Sequence, residues 1–319
     1  MRLRFTARIL PPSRCEAGLG FKMPCYHPLP GWYSKEVGKN GKRLVTFRFN
    51  DAWTDRPLSL PCGRCIGCQL ERSRQWAMRC MHEASLWEYN CFITLTYDDE
   101  HLPPSGSLVP EDYVLFMKRL RKRYGNGIRF FHCGEYGAKL QRPHHHAILF
   151  NLDFGDTQRV CSGVGGTSRL YQSAELSELW GKGFCTIGAA TFQSAGYIAR
   201  YSLKKVVDKN SAEFYKGRVR EYLTMSRRPG IGAGWIRRWA SEVLKRDEVF
   251  VNGTFSKPTR YYDDYMARVA KARMVRIKMD RRDAGRDSVD NTGRRLVERE
   301  EVKKAMITQL TRSYEDGRA

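Results

Sequence analysis

The chain has 319 residues, of which 56 are lysine or arginine and 34 are aspartate or glutamate, so its formal charge is +22. Its hydrophobic content of 41% is enough for a folded core, but no stretch approaches the roughly 20 apolar residues that span a membrane. A charge excess of this size favours a polyanion such as nucleic acid as partner, although a generally basic surface gives the same composition.

The first 90 residues form a predicted cysteine-rich region that ends in a helix. The ten cysteines of this long chain are not spaced like a disulfide framework, so we expect a reducing cytoplasm. Cys62, Cys65 and Cys68 give two overlapping C-x-x-C steps, and thiolates at this spacing select Zn²⁺ when a fourth ligand completes a tetrahedron. Cys25 is the expected fourth ligand, because the alternative, Cys80, lies at core spacing in the helix. An iron–sulfur cluster and free cysteines are the other interpretations.

The second region, residues 91–207, alternates strand and helix patterns and predicts a compact core. The order β-α-β-β-α-β-α favours an α+β fold, in which an antiparallel β-sheet carries helices on one face. The predicted elements are a strand at 92–97, a helix at 110–124, strands at 128–135 and 143–151, a short helix ending near 180, a strand at 184–187 and a helix at 194–207.

Three consecutive histidines open one of these strands. Alternation along a strand puts His144 and His146 on one face and His145 on the other. Mn²⁺ and Zn²⁺ tolerate imidazole, whereas Mg²⁺ and Mn²⁺ prefer carboxylates, so a third, acidic ligand is expected. Glu135 closes the preceding strand, and a hairpin would lay it beside His144. These three residues are therefore predicted to bind a cation that acts as a Lewis acid on a phosphate, unless the histidines are a surface tract.

The last helix of this region carries two tyrosines four residues apart, Tyr197 and Tyr201, whose hydroxyls project from one face. A tyrosine oxygen can attack a phosphodiester and hold one chain end covalently. Lys205 continues that face and Lys204 flanks it, so both could stabilise the charge that develops on the phosphate. An ordinary amphipathic stripe would show the same spacing.

Residues 208–319 form a predicted basic C-terminal region. Arginine and lysine pairs at 281–282, 294–295 and 303–304 favour salt-dependent binding of DNA phosphates. The pattern is also compatible with a mostly helical or partly disordered solvated tail.

Three of these segments together resemble the ordered motifs of HUH-type rolling-circle replication initiators, and most closely those of microviruses of the gokushovirus branch. Phe92–Tyr97 is similar to the first motif, Arg142–His146 to the metal motif, and Tyr197–Tyr201 to the paired-tyrosine motif. Two positions depart from the family pattern. His145 stands where a bulky apolar residue is usual, and Arg200 stands where lysine is frequent, so Arg200 could clamp a phosphate.

The resemblance implies an RRM-like or ferredoxin-like HUH endonuclease core that binds Mg²⁺ or Mn²⁺ and nicks viral origin DNA. One tyrosine would become joined to a 5′-phosphate while the free 3′-OH primes synthesis, and the second would act at termination of rolling-circle replication. The expected partners are supercoiled and single-stranded origin DNA and a host helicase and polymerase, in the host bacterial cytoplasm. No membrane partner or nucleotide cofactor is expected, because the sequence lacks a G-x-x-x-x-G-K-[ST] loop.

Two alternatives to this function remain at the level of sequence. One is a non-catalytic basic zinc protein that binds nucleic acid, in which the histidines and tyrosines are structural. The other is a metal nuclease whose nucleophile is water.

Overall fold

The chain divides into two compact units in this computed structural model. Among the described residues, 72–280 form the first unit, and 25–71 together with 281–315 form the second. The domain boundaries at residues 90 and 207 stay a prediction. The residues described are 25–38, 41, 43–137, 140–162, 169–201, 213, 215–286 and 289–315, without the side chains of 160–169, 201, 285–289 and 309–315.

A seven-stranded antiparallel sheet is the centre of the first unit, with the strand order β10-β5-β6-β4-β9-β8-β7. The mixed α+β character of the prediction is confirmed. Two features were not predicted, namely the β7–β8 hairpin and the addition of β10 beside β5. The strands are β4 (Asn90–Tyr97), β5 (Arg129–Tyr136), β6 (Pro143–Phe150), β7 (Gln158–Ser162), β8 (Arg169–Gln172), β9 (Gly183–Ala189) and β10 (Tyr222–Met225).

Helices cover both faces of this sheet, so the prediction of helices on one face was wrong. Helices α2 (Pro110–Tyr124) and α3 (Ala174–Trp180) pack on the face that includes Ile93 and Leu95. Helix α4 (Phe192–Tyr201) and the later part of α1 (Ile66–Ala84) pack on the opposite face. The physical reason is the composition of β6, which is buried on both faces and therefore requires cover on both.

Local sequence explains the bounds of the main helices. Helix α2 begins with Pro110 in its first turn and ends before Gly125, whose φ of 91° stops the helix. Ser173 caps α3 by accepting a hydrogen bond from the backbone N–H of Leu176, and Gly181 ends α3 in the left-handed conformation.

The rest of the first unit is a helical layer with its own core. It comprises α5 (Ala233–Arg246), a short hairpin of β11 (Val249–Val251) and β12 (Thr254–Ser256), α6 (Arg260–Val269) and the first part of α7 (Lys271–Arg286). Its buried centre includes Met78 of α1, Ile236, Tyr262 and Met274.

The second unit contains a three-stranded antiparallel sheet and a long helix. The strands are β1 (Leu29–Val37), β2 (Arg43–Thr46) and β3 (Ala52–Leu60) in the order β2-β1-β3, and the helix is α8 (Gly293–Glu315). Among the described helices of the chain, none is both long and apolar enough to cross a bilayer.

Candidate metal centre

The register of three strands brings the predicted ligands together. Glu135 of β5 pairs with His144 of β6, and Cys133 pairs with His146, so Glu135 and both imidazoles lie on one face of the sheet. On the other side of β6, Thr94 of β4 pairs with His146. Since β6 is hydrogen-bonded on both edges, the two histidines sit on a strand whose register is fixed.

The ligand atoms of Glu135, His144 and His146 all lie within 4.8 Å of one another. Nε2 of His144 is 2.7 Å from Oε1 of Glu135, and Nε2 of His146 is 2.9 Å from the same oxygen. Both histidines and the glutamate are shielded from solvent, with exposed side-chain fractions of 15%, 8% and 2%. The geometry is that of a small cage open to one ion.

The hydrogen bonds of His144 set the chemistry of this cage. Its Nδ1 lies 3.0 Å from the carbonyl oxygen of Arg142, which can only accept, so Nδ1 carries the proton. In the neutral imidazole, Nε2 then presents a lone pair to the carboxylate of Glu135. Two facing lone pairs at 2.7 Å require a proton or a cation between them. This arrangement fits a metal ion.

Two further observations agree with that fit. The second carboxylate oxygen of Glu135, Oε2, is buried and has no hydrogen-bond partner in the part of the chain that the structure describes. Burial by itself would raise the pKa of Glu135, but the hydrogen bonds of His144 and His146 outweigh it and hold the pKa below its usual range. The carboxyl group is therefore ionised and ready to act as a ligand.

His146 is oriented by a residue that sequence reasoning missed. Its Nδ1 lies 2.9 Å from Oγ1 of Thr94, and its ring stacks on Phe92 with the ring centroids 5.4 Å apart. Both contacts come from β4. The strand pattern predicted β4 itself, but its pairing with β6 could not be read from short-range spacing.

The tyrosine helix lies beside this cage. The hydroxyl of Tyr197 is 3.4 Å from Oε1 of Glu135, and its ring centroid is 5.2 Å from that of His146. Tyr201 is the last residue of α4, and its side chain lies outside the described residues, as do Lys204 and Lys205. Arg200 is exposed. The roles of these residues stay predictions.

On the opposite face, His145 belongs to a buried hydrogen-bonded chain. Tyr97 donates to Asp112 Oδ2 at 2.9 Å, so its oxygen accepts from Nε2 of His145 at 3.3 Å. Nδ1 of His145 must then accept from Nε2 of His132 at 3.2 Å, and Nδ1 of His132 accepts from the hydroxyl of Thr224 at 2.8 Å. One carboxylate thus fixes both tautomers. Burial lowers the pKa of His145 to about 3, so the ring is neutral.

The predicted cysteine cluster forms in the second unit. The Sγ atoms of Cys25, Cys62, Cys65 and Cys68 lie within 4.8 Å of one another, whereas Cys80 is a buried core residue of α1. The choice of Cys25 over Cys80 therefore agrees with the structure. Burial raises the pKa of Cys62, but the backbone N–H groups of Cys65 and Arg64 help to lower it overall to about 7.

Comparisons with known proteins agree on the class of this chain. A family model for the replication-associated protein ORF2 matches residues 90–206. Replication-associated protein VP4 of Bdellovibrio phage phiMH2K is 34% identical, over 71% of this chain and 70% of that protein. Replication-associated protein ORF2 of Spiroplasma virus 4 is 37% identical, over 66% of this chain and 68% of that protein. No solved structure matches significantly.

The matched segment contains the whole candidate metal centre and the start of the tyrosine helix. The chain belongs to the family of replication-associated proteins of small phages, the microvirus-like replication initiators. Its role is in the initiation of phage replication. The resemblance drawn from the three motifs is confirmed.

Proposed function

We propose that the protein is a metal-dependent DNA endonuclease and strand transferase that nicks and rejoins the origin of a small circular single-stranded DNA phage genome. The observation that carries this proposal is the 3.4 Å separation between the Tyr197 hydroxyl and Glu135, a member of the caged triad. A phenol beside a cation site is suited to attack a phosphodiester whose oxygen is polarised there.

Glu135, His144 and His146 would hold Mg²⁺ or Mn²⁺, which when bound supplies Lewis-acid polarisation of the scissile phosphate. Imidazole ligands favour Mn²⁺ of the two. The protein's own contribution is orientation: the Arg142 carbonyl fixes the His144 tautomer, and Thr94 holds the His146 ring.

In the nicking step, the Tyr197 oxygen would attack the phosphorus and the bond from phosphorus to the 3′ oxygen would break. The phenol loses one proton and the departing 3′ oxygen gains one, so the step is balanced in protons. The product is a 5′-phosphotyrosine ester and a free 3′-OH. Because the ester keeps the energy of the phosphodiester, the reverse attack by a 3′-OH rejoins DNA without a nucleotide cofactor.

Tyr201 would act as the second nucleophile and cut the regenerated origin at termination. It belongs to the same helix as Tyr197, one turn later. We assign phosphate contacts to Arg200, Lys204 and Lys205, because cations near a reacting phosphate stabilise its developing charge.

A basic, aromatic cavity of about 240 Å³ in the first unit supports DNA binding. Arg72, Trp76, Arg79, Arg260 and Tyr261 contribute to its lining. The Arg79 guanidinium lies 4.1 Å from the Trp76 ring centroid and 3.9 Å from that of Tyr261. Guanidinium groups and aromatic rings together suit a single-stranded DNA backbone and its bases. The proposed partners are origin DNA and the host helicase and polymerase, in the host bacterial cytoplasm.

The decisive experiment uses a labelled origin-strand oligonucleotide with Mn²⁺ and asks whether a covalent protein–DNA adduct forms. The adduct should disappear in the double variant Tyr197→Phe, Tyr201→Phe, while Tyr33→Phe, an exposed tyrosine of the second unit, should leave it unchanged. Each single variant at 197 or 201 should still nick once but should fail to complete termination.

The other outcomes of the experiment would each contradict the proposal in a different way. Cleavage without an adduct would identify a nuclease that uses water. Salt-sensitive binding without cleavage would identify a non-catalytic basic protein. If one single variant were inactive and the other normal through termination, the scheme of two nucleophiles would be wrong.

The cysteine cluster belongs to the second unit and contributes no ligand to the triad. For this cluster we propose a separate, structural metal ion, with zinc as the metal.

A further inference from the structure

The four clustered cysteines have the dimensions of a single tetrahedral metal site. Cys65 Sγ lies 3.9 Å from Cys25 Sγ, and all four sulfurs are within 4.8 Å of one another. A regular tetrahedron with metal–sulfur bonds of about 2.3 Å has sulfur–sulfur edges of about 3.8 Å. None of the four forms a disulfide, although they are this close.

Backbone amides around the cluster point at the sulfur atoms. The N–H of Cys62 donates to Cys25 Sγ at 3.1 Å, that of Cys65 to Cys62 Sγ at 3.3 Å, and that of Tyr26 to Cys65 Sγ at 3.4 Å. Such bonds stabilise thiolates, and Gly63, at φ 74°, makes the tight turn that aims two of them. Thiolates this close repel one another unless a cation lies between them.

The cluster is also the only concentration of buried apolar side chains among the described residues of the second unit. Its buried members are Tyr26, Cys65 and Leu296, packed with Ile66 and the other three cysteines. The nearby sheet leaves large apolar side chains exposed, including Phe47 at 58% and Phe49 at 69%. A unit with so little apolar burial needs another source of stability.

The same cluster connects separate parts of the chain. Tyr26 and Cys25 precede β1, Cys62 and Cys65 follow β3, and Leu296 belongs to α8. Beside it, His27 Nε2 lies 2.7 Å from Glu300 Oε2 of the same helix. An ion held by the four sulfurs would therefore fasten both ends of the three-stranded sheet beneath α8.

We propose that Cys25, Cys62, Cys65 and Cys68 bind one Zn²⁺ ion, and that this ion takes the place of a hydrophobic core in the second unit. Thiolates in a tetrahedron select zinc over magnesium or manganese, and structural zinc sites of this kind supply folding free energy directly. The compact sulfur–sulfur distances fit one ion. The proposal is independent of the nicking chemistry, which uses different residues.

The first test counts metal in the full-length protein, purified without a histidine tag from zinc- and iron-containing medium. Elemental analysis should find about one zinc ion per chain in a Glu135→Gln, His144→Ala background, which disables the triad as a competing site. Cys65→Ala should lose the zinc, and Cys185→Ala, a buried cysteine of the first unit, should retain it. Iron in place of zinc, less than about a tenth of an equivalent, or zinc retained by Cys65→Ala would overturn the assignment.

The second test addresses the role of the ion and does not depend on any variant folding. Removal of the metal from the wild-type protein by a strong chelator should increase amide hydrogen exchange in residues 25–71 and 289–315, with residues 72–280 largely unchanged. Addition of Zn²⁺ should restore protection, and Co²⁺ should give the absorption of a tetrahedral thiolate complex. Exchange in the second unit that is the same with and without metal would contradict the role as a core.

Discussion

The two faces of β6 put the same side chain to opposite uses. On one face, His144 and His146 direct Nε2 atoms at a shared carboxylate oxygen, with Nδ1 of each held by a backbone or hydroxyl oxygen. On the other face, both nitrogens of His145 are bound within a closed chain of side chains. The comparison shows that the partner of each nitrogen, and not the residue type, decides whether a histidine is a ligand.

The largest expected effect comes from removing charge on the metal face. Glu135→Gln keeps the shape of the side chain but removes the ionised ligand, so metal-dependent cleavage should fall by at least about 100-fold. Salt-sensitive DNA binding should persist, and His144→Ala should behave in the same way. Cleavage of the labelled oligonucleotide over a Mn²⁺ titration measures this.

The same substitution at Glu178, an exposed residue of α3, provides the control and should leave cleavage unchanged. If Glu135→Gln lost DNA binding and cleavage in equal measure, Glu135 would be a structural residue and the contrast between the two faces would fail.

A smaller effect, on stability and not on the metal, is expected from the other face. His145→Leu leaves Nε2 of buried His132 without its acceptor, which should cost about 1–3 kcal/mol of unfolding free energy. Denaturant unfolding measures this cost, and metal affinity should stay within about twofold because His145 points away from the cage.

Replacing both rings, in His132→Phe with His145→Leu, should recover part of that loss, because removing both members of a buried pair leaves fewer unsatisfied groups. A His145→Leu variant that unfolds normally but no longer binds metal would show that the two faces are not separate.

The smallest effect should come from the residue that orients His146. Thr94→Val removes the hydroxyl at 2.9 Å from Nδ1 and should weaken metal binding by about 10-fold, the lower end for such supporting residues. Thr186→Val is a matched control, since Thr186 lies opposite Thr94 on the neighbouring strand β9. Isothermal titration with Mn²⁺ would compare them, and equal affinities for the two variants would remove Thr94 from the site.

Sequence patterns predicted those parts of the molecule that depend on local periodicity. Helix α2 was predicted at its observed bounds, and β4, β5 and β6 were predicted within two residues at each end. The alternation rule also put His144 and His146 on one face, because it needs no knowledge of neighbouring strands. The hairpin between β5 and β6 then brought Glu135 within reach.

The remainder depends on pairing between distant segments. Thr94, Asp112 and His132 were not predicted as partners of the histidines, because their positions follow from register and from helix packing. The sheet of the second unit was missed for another reason: its strands bury few side chains and show little apolar alternation.

The central place of β6 has a consequence for the order of events during replication. Its backbone is paired along its length with β5 on one side and β4 on the other, so the ligands it carries cannot shift without breaking both ladders. Such a rigid cage would load its cation before any DNA arrives. Successive strands could then be cut and exchanged over an unchanged metal platform, with the moving parts confined to the nucleic acid and the tyrosines.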